Sequence, residues 1–388
     1  MLTVPQGYRD AMAARNPVHV KMDFGNGVIL TDDDIDSSVG ITLTDAFNPD
    51  TDIKMGIASS RQLSTKIIIN DKTRYMRWTN AFDLSFGVED GEGGTIWIYF
   101  GQFKGNRPKN TTTLNSIDFV AYDMMQKFED NADDWAETYT SSKGIGTLLS
   151  EIATEVGIDI VTTDAIAYEL TRTRTNRWTN DNYTYRDLLQ NMAEVLGCYC
   201  RIGGADMDKC ELVWFHTDNP RTITRDEIFF EEHADLYDGL YWNDFDLLTW
   251  DQADQMTWNE VSGYYKDTNV FDGIYIPKID GGLLCRYPNN QKTGHIYQFK
   301  DNPVPKVISS NKSSIQTNML SPMLDRLNFI GGILPMKVEC LGDLVTQAGD
   351  VIHVELPEAT IEMPIYYKTM HWNGYVTDTY ETTAPDAL

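Results

Sequence analysis

The stretch from Thr184 to Trp214, TYRDLLQNMAEVLGCYCRIGGADMDKCELVW, leaves the chain the least local freedom. Thr184 stands three residues before Asp187, so each side chain can satisfy an orphan amide of a first helical turn. Leu188, Leu189, Met192 and Leu196 follow at helical spacing and give one apolar face. Gly197 comes next, where a left-handed stop costs least. A strand from Cys198 to Ile202, a Gly203-Gly204 turn and a returning strand from Cys210 to Phe215 complete a helix–hairpin unit. It carries no catalytic signature.

On either side the pattern is mainly β. His19 to Phe24 alternates, Gly25-Asn26-Gly27 turns, and Val28 to Leu30 returns. Leu63 to Ile69 and Ile96 to Phe103 read as further strands. About six short strands before residue 123 suggest a barrel or sandwich. A short helix is expected within Thr3 to Ala14. Gly144 to Val156 carries Ile145, Leu148, Leu149, Ile152 and Val156 at helical spacing; Gly157 stops it, and Ile158 to Val161 reads as a short strand. Trp258 to Tyr265 alternates like a strand, Pro303 and Pro305 mark a boundary, and Ser321-Pro322 opens a helix with Met323, Leu324 and Leu327 on one face. Pro335 to Leu341, Val351 to Leu356 and Met363 to Trp372 are expected strands. The fold class is therefore α+β, mainly β, with two β-barrel-like domains and an inserted α+β domain. The divisions are 1–123 (N-terminal helix and first barrel-like domain), 124–216 (α+β insert), 217–306 (β-rich, acidic and aromatic) and 307–388 (helix and second barrel-like domain). No fixed-period repeat is visible, although the two ends look alike enough for a hidden duplication.

Charge excludes several function classes. With 58 acidic against 32 basic residues the formal charge is −26. A protein that grips phosphates needs a basic footprint, and docking on anionic lipid needs the same; an acidic surface lets nucleic acid pass without sticking. No run of about 18 apolar residues offers a membrane-spanning helix, and no basic flank with an apolar block marks a secretory signal. The five cysteines read as reduced thiols. Cys198, Cys200 and Cys210 lack a fourth ligand at metal spacing and fit small apolar strand positions better. Asp32-Asp33-Asp34 lacks the alternating ligands, glycine and distal glutamate of a calcium loop, and reads as a solvated loop opening a turn or helical segment. The six histidines are scattered, and Glu231-Glu232-His233 is the one compact acid–histidine group. Hydrolase elbows, zinc-protease helices and phosphate loops are missing. No catalytic, cofactor-binding or metal-ligating residue is therefore assigned, and no cofactor is expected. One alternative stays open: Glu231, Glu232, Asp235, Asp238, Asp244, Asp246, Asp251 and Asp254 lie among Tyr237, Tyr241, Trp242, Phe245, Trp250 and Trp258. Paired carboxylates beside aromatics suit sugar cleavage, or sugar binding by stacking; the same pattern also suits hairpins with aromatic inner and acidic outer faces.

Several segments together resemble the phage tail hub, or baseplate hub, family. They are Gln6 to Ala11, Gly56 to Leu63 (GIASSRQL), Arg186-Asp187-Leu188-Leu189 with Gly197, Arg201-Ile202 and Cys210-Glu211-Leu212, then Gly349-Asp350 and Trp372-Asn373-Gly374. The resemblance implies a structural, non-enzymatic virion protein at a tail tip or baseplate, made in the host bacterial cytoplasm, with relatives in contractile injection systems. It implies a homotrimer whose two barrels per subunit form a ring, joining the sixfold tail tube or a distal tail protein hexamer to a threefold spike or fibre. DNA would pass without specific binding, and the chain would not insert into a membrane. The long C-terminal extension of many members is missing from these 388 residues, so the spike or fibre would come from another chain.

Overall fold

The computed structural model describes residues 4, 7–47, 56–73, 76–106, 115–138, 143–171, 173–174, 183–216, 221–233, 283–286, 296–299, 307–309, 326, 329, 336–355 and 360–382. The Trp258–Tyr265 strand, the Pro303 and Pro305 boundary, the Ser321-Pro322 helix start and most of the acidic, aromatic stretch lie outside them.

Helix α1 (Tyr8–Ala13) precedes strands β1 (Val18–Asp23), β2 (Ile29–Thr31), β3 (Ile41–Ala46), β4 (Gln62–Ile68), β5 (Ala81–Glu89), β6 (Thr95–Gly105) and β7 (Ser116–Asp123). A second group holds α2 (Asp133–Thr138), β8 (Lys143–Gly144), α3 (Ile145–Val156), β9 (Ile160–Val161), α4 (Ala167–Leu170), β10 (Thr173–Arg174), α5 (Tyr185–Val195), β11 (Tyr199–Gly203) and β12 (Lys209–Val213). The last group is β13 (Thr222–Ile223), β14 (Ile228–His233), β15 (Leu283–Arg286), β16 (Ile296–Phe299), β17 (Val307–Ser309), β18 (Met336–Leu341), β19 (Val351–Glu355), β20 (Thr360–Pro364), β21 (Tyr367–Trp372) and β22 (Val376–Glu381).

The helix–hairpin unit forms as its sequence requires. Thr184 N donates to Asp187 Oδ2 at 2.9 Å while Asp187 N donates to Thr184 Oγ1 at 3.2 Å. Gly197 takes φ +69° just after the Leu196 cap, and β11 pairs antiparallel with β12. In the first hairpin Gly25, Asn26 and Gly27 all adopt positive φ. Asp32 to Asp34 form a short 3₁₀ turn, and the solvated reading needs correction at Asp34, which is buried. Its carboxylate is bound by Lys72 Nζ at 2.6 Å and Asn70 Nδ2 at 2.7 Å. These partners replace the water a buried charge would lose.

An antiparallel sheet of eleven strands, in the order β14-β18-β22-β21-β3-β4-β7-β6-β5-β1-β2, organises the molecule. The seam is the β3–β21 ladder, which runs from Tyr367 opposite Ala46 to Trp372 opposite Ile41 and joins the N-terminal strands to the C-terminal ones. Among the described residues the ladder is open rather than closed into a barrel. A smaller sheet, β13-β19-β20, faces its C-terminal end across a core of Ile223, Val338, Ile352, Met363 and Tyr380. The single strand expected over Met363 to Trp372 is two strands in different sheets. Pro364 has no amide to donate, and at Ile365 the chain crosses over, its N–H going to Asp350 O at 2.9 Å. The helices α3 and α5 pack with β11 and β12 around a second core that includes Leu148, Ile152, Leu188, Met192 and Tyr199. A third core lies inside the N-terminal strands, with Met22, Leu84, Phe86 and Phe103.

Candidate functional site

The segment Gly342 to Asp350, between β18 and β19, is buried along its whole length. Loops normally lie at the surface because their amides need water or partners. Here the partners are protein. Gly342 N donates to Val376 O at 2.9 Å and Gly349 N to Ile365 O at 2.8 Å. Asp343 N donates to Asp378 Oδ2 at 2.7 Å, Leu344 N to Tyr8 Oη at 2.8 Å, Gln347 N to Asp350 Oδ2 at 2.9 Å and Ala348 N to Asp45 Oδ2 at 3.1 Å. The loop carbonyls are held by cations: Lys368 Nζ donates to Asp343 O at 2.6 Å and Thr346 O at 2.8 Å, and Arg201 NH1 to Ala348 O at 2.9 Å.

The loop's apolar side chains go to different cores. Leu344 and Val345 enter the N-terminal core, and Ala348 enters the core built on α3 and α5. The segment therefore fixes the three parts of the chain against one another. Two glycines permit this. A Cβ on Gly349, whose φ is +93°, would lie 2.2 Å from Phe47 Cζ, and one on Gly342 would lie 2.2 Å from Val376 Cγ1.

Most charges around the loop are paired, with Asp378 Oδ1 left as a buried oxygen without a hydrogen-bond donor. Tyr8 Oη donates to Asp343 Oδ1 at 2.6 Å, Thr346 Oγ1 to Asp343 Oδ2 at 2.6 Å and Tyr380 Oη to Asp378 Oδ2 at 2.6 Å. Lys368 Nζ lies 3.2 Å from Asp378 Oδ2, and both side chains are almost fully buried. Arg221 reaches Tyr380 Oη at 3.0 Å and Leu341 O at 2.8 Å. Burial pushes the Asp343 carboxyl upward, but Arg221, Lys368, Thr346 and Tyr8 together hold it below the ordinary carboxylate range. These contacts hold the geometry of the loop.

A second feature is a cleft of about 370 Å³ lined by Asp164, Arg201, Glu211, His216 and Asp350 among others. Asp164 Oδ2 accepts from Trp214 N at 2.9 Å and pairs with His216 Nε2 at 2.9 Å. The lining also holds the Thr163 hydroxyl; an Asp–His pair can serve as a general base toward a hydroxyl or toward water, so the pair by itself assigns no reaction.

The other residues weighed from sequence fall as follows. Cys198, Cys200 and Cys210 are buried thiols in one core and Cys340 a buried thiol in another, and burial pushes Cys198 up to about 11 and Cys340 to about 12. Among the described residues no group of three or more His, Cys, Asp or Glu is placed to hold a metal ion. His19 bridges Asp32 Oδ2 at 2.6 Å and Glu89 Oε1 at 3.0 Å. The carboxylates and aromatics from Asp235 to Trp258 lie outside the described residues, and Glu231, Glu232 and His233 are described in backbone only. The Gly349-Asp350 turn is legible in the sequence, and Tyr8 is legible as a residue of the first helix, but the sequence alone gives no role to Tyr8, Asp343, Lys368 or Asp378. A signal existed for two of them. Lys368 shares strand parity with the buried Met370 and Trp372, and Asp378 with the buried Val376 and Tyr380, so each is a charge written into an inward position.

No protein-family model and no curated protein matches the chain. Solved structures do. The 43 kDa tail protein of prophage MuSo2 from Shewanella oneidensis aligns over 96% of this chain and 98% of its own at 10% identity, with a TM-score of 0.49. The prophage tail protein gp18 from Listeria monocytogenes EGD-e aligns over 95% of both chains at 10% identity, with a TM-score of 0.47. The tail protein from Neisseria meningitidis MC58 covers 96% of this chain and 99% of its own at 7% identity, with a TM-score of 0.51. The last of these carries the comparison of folds: along nearly its whole length the chain is similar in fold to that tail protein.

Proposed function

We propose that this chain is a structural hub of a phage or phage-like tail, a virion component at the tail tip or baseplate with no catalytic role. Three copies would form a ring that joins the sixfold tail tube, or a distal tail protein hexamer, to a threefold spike or fibre. The observation that carries the reading is the end-to-end likeness of fold to the Neisseria meningitidis tail protein, which spans 96% of this chain. The β3–β21 seam supports it further, because it sets two β-rich parts side by side in one sheet, as a ring built from similar units needs. On this reading 1–123 and 307–388 act as the two barrel-like units, 124–216 as the α+β insert between them, and 217–306 as a β-rich, acidic and aromatic domain. Three chains, each of formal charge −26, would present a wall that repels DNA and lets it slide through.

Light scattering on the purified chain tests the reading, followed by particle averaging of the same fraction. The expected result is a mass near three times 44.1 kDa and a threefold ring with an open channel. A monomer at every concentration, with no ring when tail-tube protein is added, would rule the hub out.

A further inference from the structure

The outer face of β1, β5 and β6 carries a feature that the packing of the described residues does not use. Trp97 and Tyr99 are 45% and 37% exposed on adjacent outward positions of β6. Trp97 stands opposite Gly87, which stands opposite His19; Tyr99 stands opposite Ser85, which stands opposite Lys21. Gly87 makes the seat for the indole, since a Cβ there would come within 2.8 Å of two Trp97 ring carbons. Tyr99 Oη is fixed by donation to Asp83 Oδ1 at 3.0 Å.

An acidic rim frames these rings. The β11–β12 turn leans onto β6 through Met207, which is buried at φ +49° with its Cβ 2.9 Å from where a Gly101 Cβ would be. That contact sets the exposed Asp206 and Asp208 beside Tyr99, whose phenol is pushed up to about 12 by burial, by Asp83 and by these two carboxylates. Among the described residues, Lys21 lies 3.7 Å from Asp23 and Arg61 is buried against Asp123 at 3.0 Å, so the exposed Lys209 stands against the three rim carboxylates.

We infer that the Trp97–Tyr99 face is a docking surface for a different protein chain that presents a lysine- or arginine-bearing strand or loop. Exposed tryptophan and tyrosine on a rigid sheet are the anchors that protein interfaces favour. Their faces attract cations, and the rim adds a field of the same preference. A second copy of this chain meeting it through the same face is the wrong occupant, because it would set the same rim of Asp83, Asp206 and Asp208 against itself. The inference does not depend on the ring reading.

The test uses the full chain and two blocked peptides, Lys-Thr-Arg-Thr-Lys and Glu-Thr-Glu-Thr-Glu, titrated at low salt by calorimetry and tryptophan emission. Three variants are compared: Trp97→Ala; the rim triple Asp83→Asn, Asp206→Asn, Asp208→Asn; and a remote triple of equal charge change, Asp134→Asn, Glu155→Gln, Asp159→Asn, at exposed sites on α2, α3 and beyond. The expected result is binding of the basic peptide alone. It should weaken about tenfold in Trp97→Ala, weaken at least as much in the rim triple, and stay within about twofold in the remote triple. Circular dichroism of each variant checks that the fold is kept. Equal weakening by the rim and remote triples would reduce the effect to net charge and overturn the inference. So would binding of the acidic peptide or of a neutral oligosaccharide with the same Trp97 dependence, or self-association abolished by Trp97→Ala.

Discussion

Replacing Tyr8 by phenylalanine removes one oxygen and nothing else, and the structure says what that oxygen does. It donates to Asp343 Oδ1 at 2.6 Å and accepts from Leu344 N at 2.8 Å. The ring itself is 1% exposed and stays packed in the N-terminal core. Burial and Asp343 push the phenol well above its ordinary range, so it is a neutral donor at any working pH. A hydrogen bond to a buried carboxylate contributes about 1.5–3 kcal/mol, and a buried N–H left without a partner costs about 1–3 kcal/mol. Partial relaxation and overlap between the two terms bring the expected loss to about 3 kcal/mol. Urea unfolding followed by tryptophan emission should show the midpoint falling while the slope stays unchanged. Hydrogen exchange at Leu344 should accelerate more than at Met22 or Phe86 on the neighbouring strands. Tyr8→Ala adds loss of the ring, about 3 kcal/mol more. A Tyr8→Phe change under about 0.5 kcal/mol would refute the claim that the loop depends on this hydroxyl.

Four further outcomes follow from the same geometry. Gly349→Ala combines a left-handed φ with a clash on Phe47, so it should cost about 3 kcal/mol; unchanged thermal unfolding would contradict this. Lys368→Met leaves Asp378 buried without its cation and should cost about 3–5 kcal/mol, part of which Asp378→Asn should restore in the double variant. Thr184→Ala removes the cap of α5 and should cost about 1 kcal/mol in a melt. His19 has its pKa raised, first by the Asp32 hydrogen bond and then by Glu89. Its contribution is therefore fully present below the unfolded value of about 6.5 and is lost as pH rises through the higher folded value. His19→Gln should flatten stability against pH across that window, and NMR titration of His19 should give a midpoint above the free-histidine value.

What the sequence made legible is what short-range chemistry decides. Helix α5 carries its own cap, its own apolar face and its own stop, and each is used as read. Strand β1 shows its inward set, Val18, Val20 and Met22, by alternation alone. Partner choice is another matter. Nothing near Ile41 or Tyr367 says that β3 and β21, more than three hundred residues apart, will pair, because several strands offer the same alternation. Strand β5 alternates as clearly as β1. The break at Pro364 was visible as a residue type and still passed over, since the apolar run on either side hid the change of sheet. The buried loop was the hardest to see. Gly-Asp-Leu-Val-Thr-Gln-Ala-Gly-Asp has the composition of a surface turn, and only distant partners make it an interior one.

The loop also dictates when the molecule can become whole. Leu344, Val345, Met370 and Trp372 complete a core whose other walls are β1 to β7. A ribosome making about 5–20 residues per second takes on the order of half a minute to travel from Tyr8 to these positions. Through that interval the nascent N-terminal sheet has an unfilled interior and an unpaired β3 edge, the kind of surface that chaperones hold and that aggregates form from. Contacts of such sequence separation also slow the final collapse. Synthesis halted before Trp372 should therefore yield insoluble fragments rather than soluble partial domains.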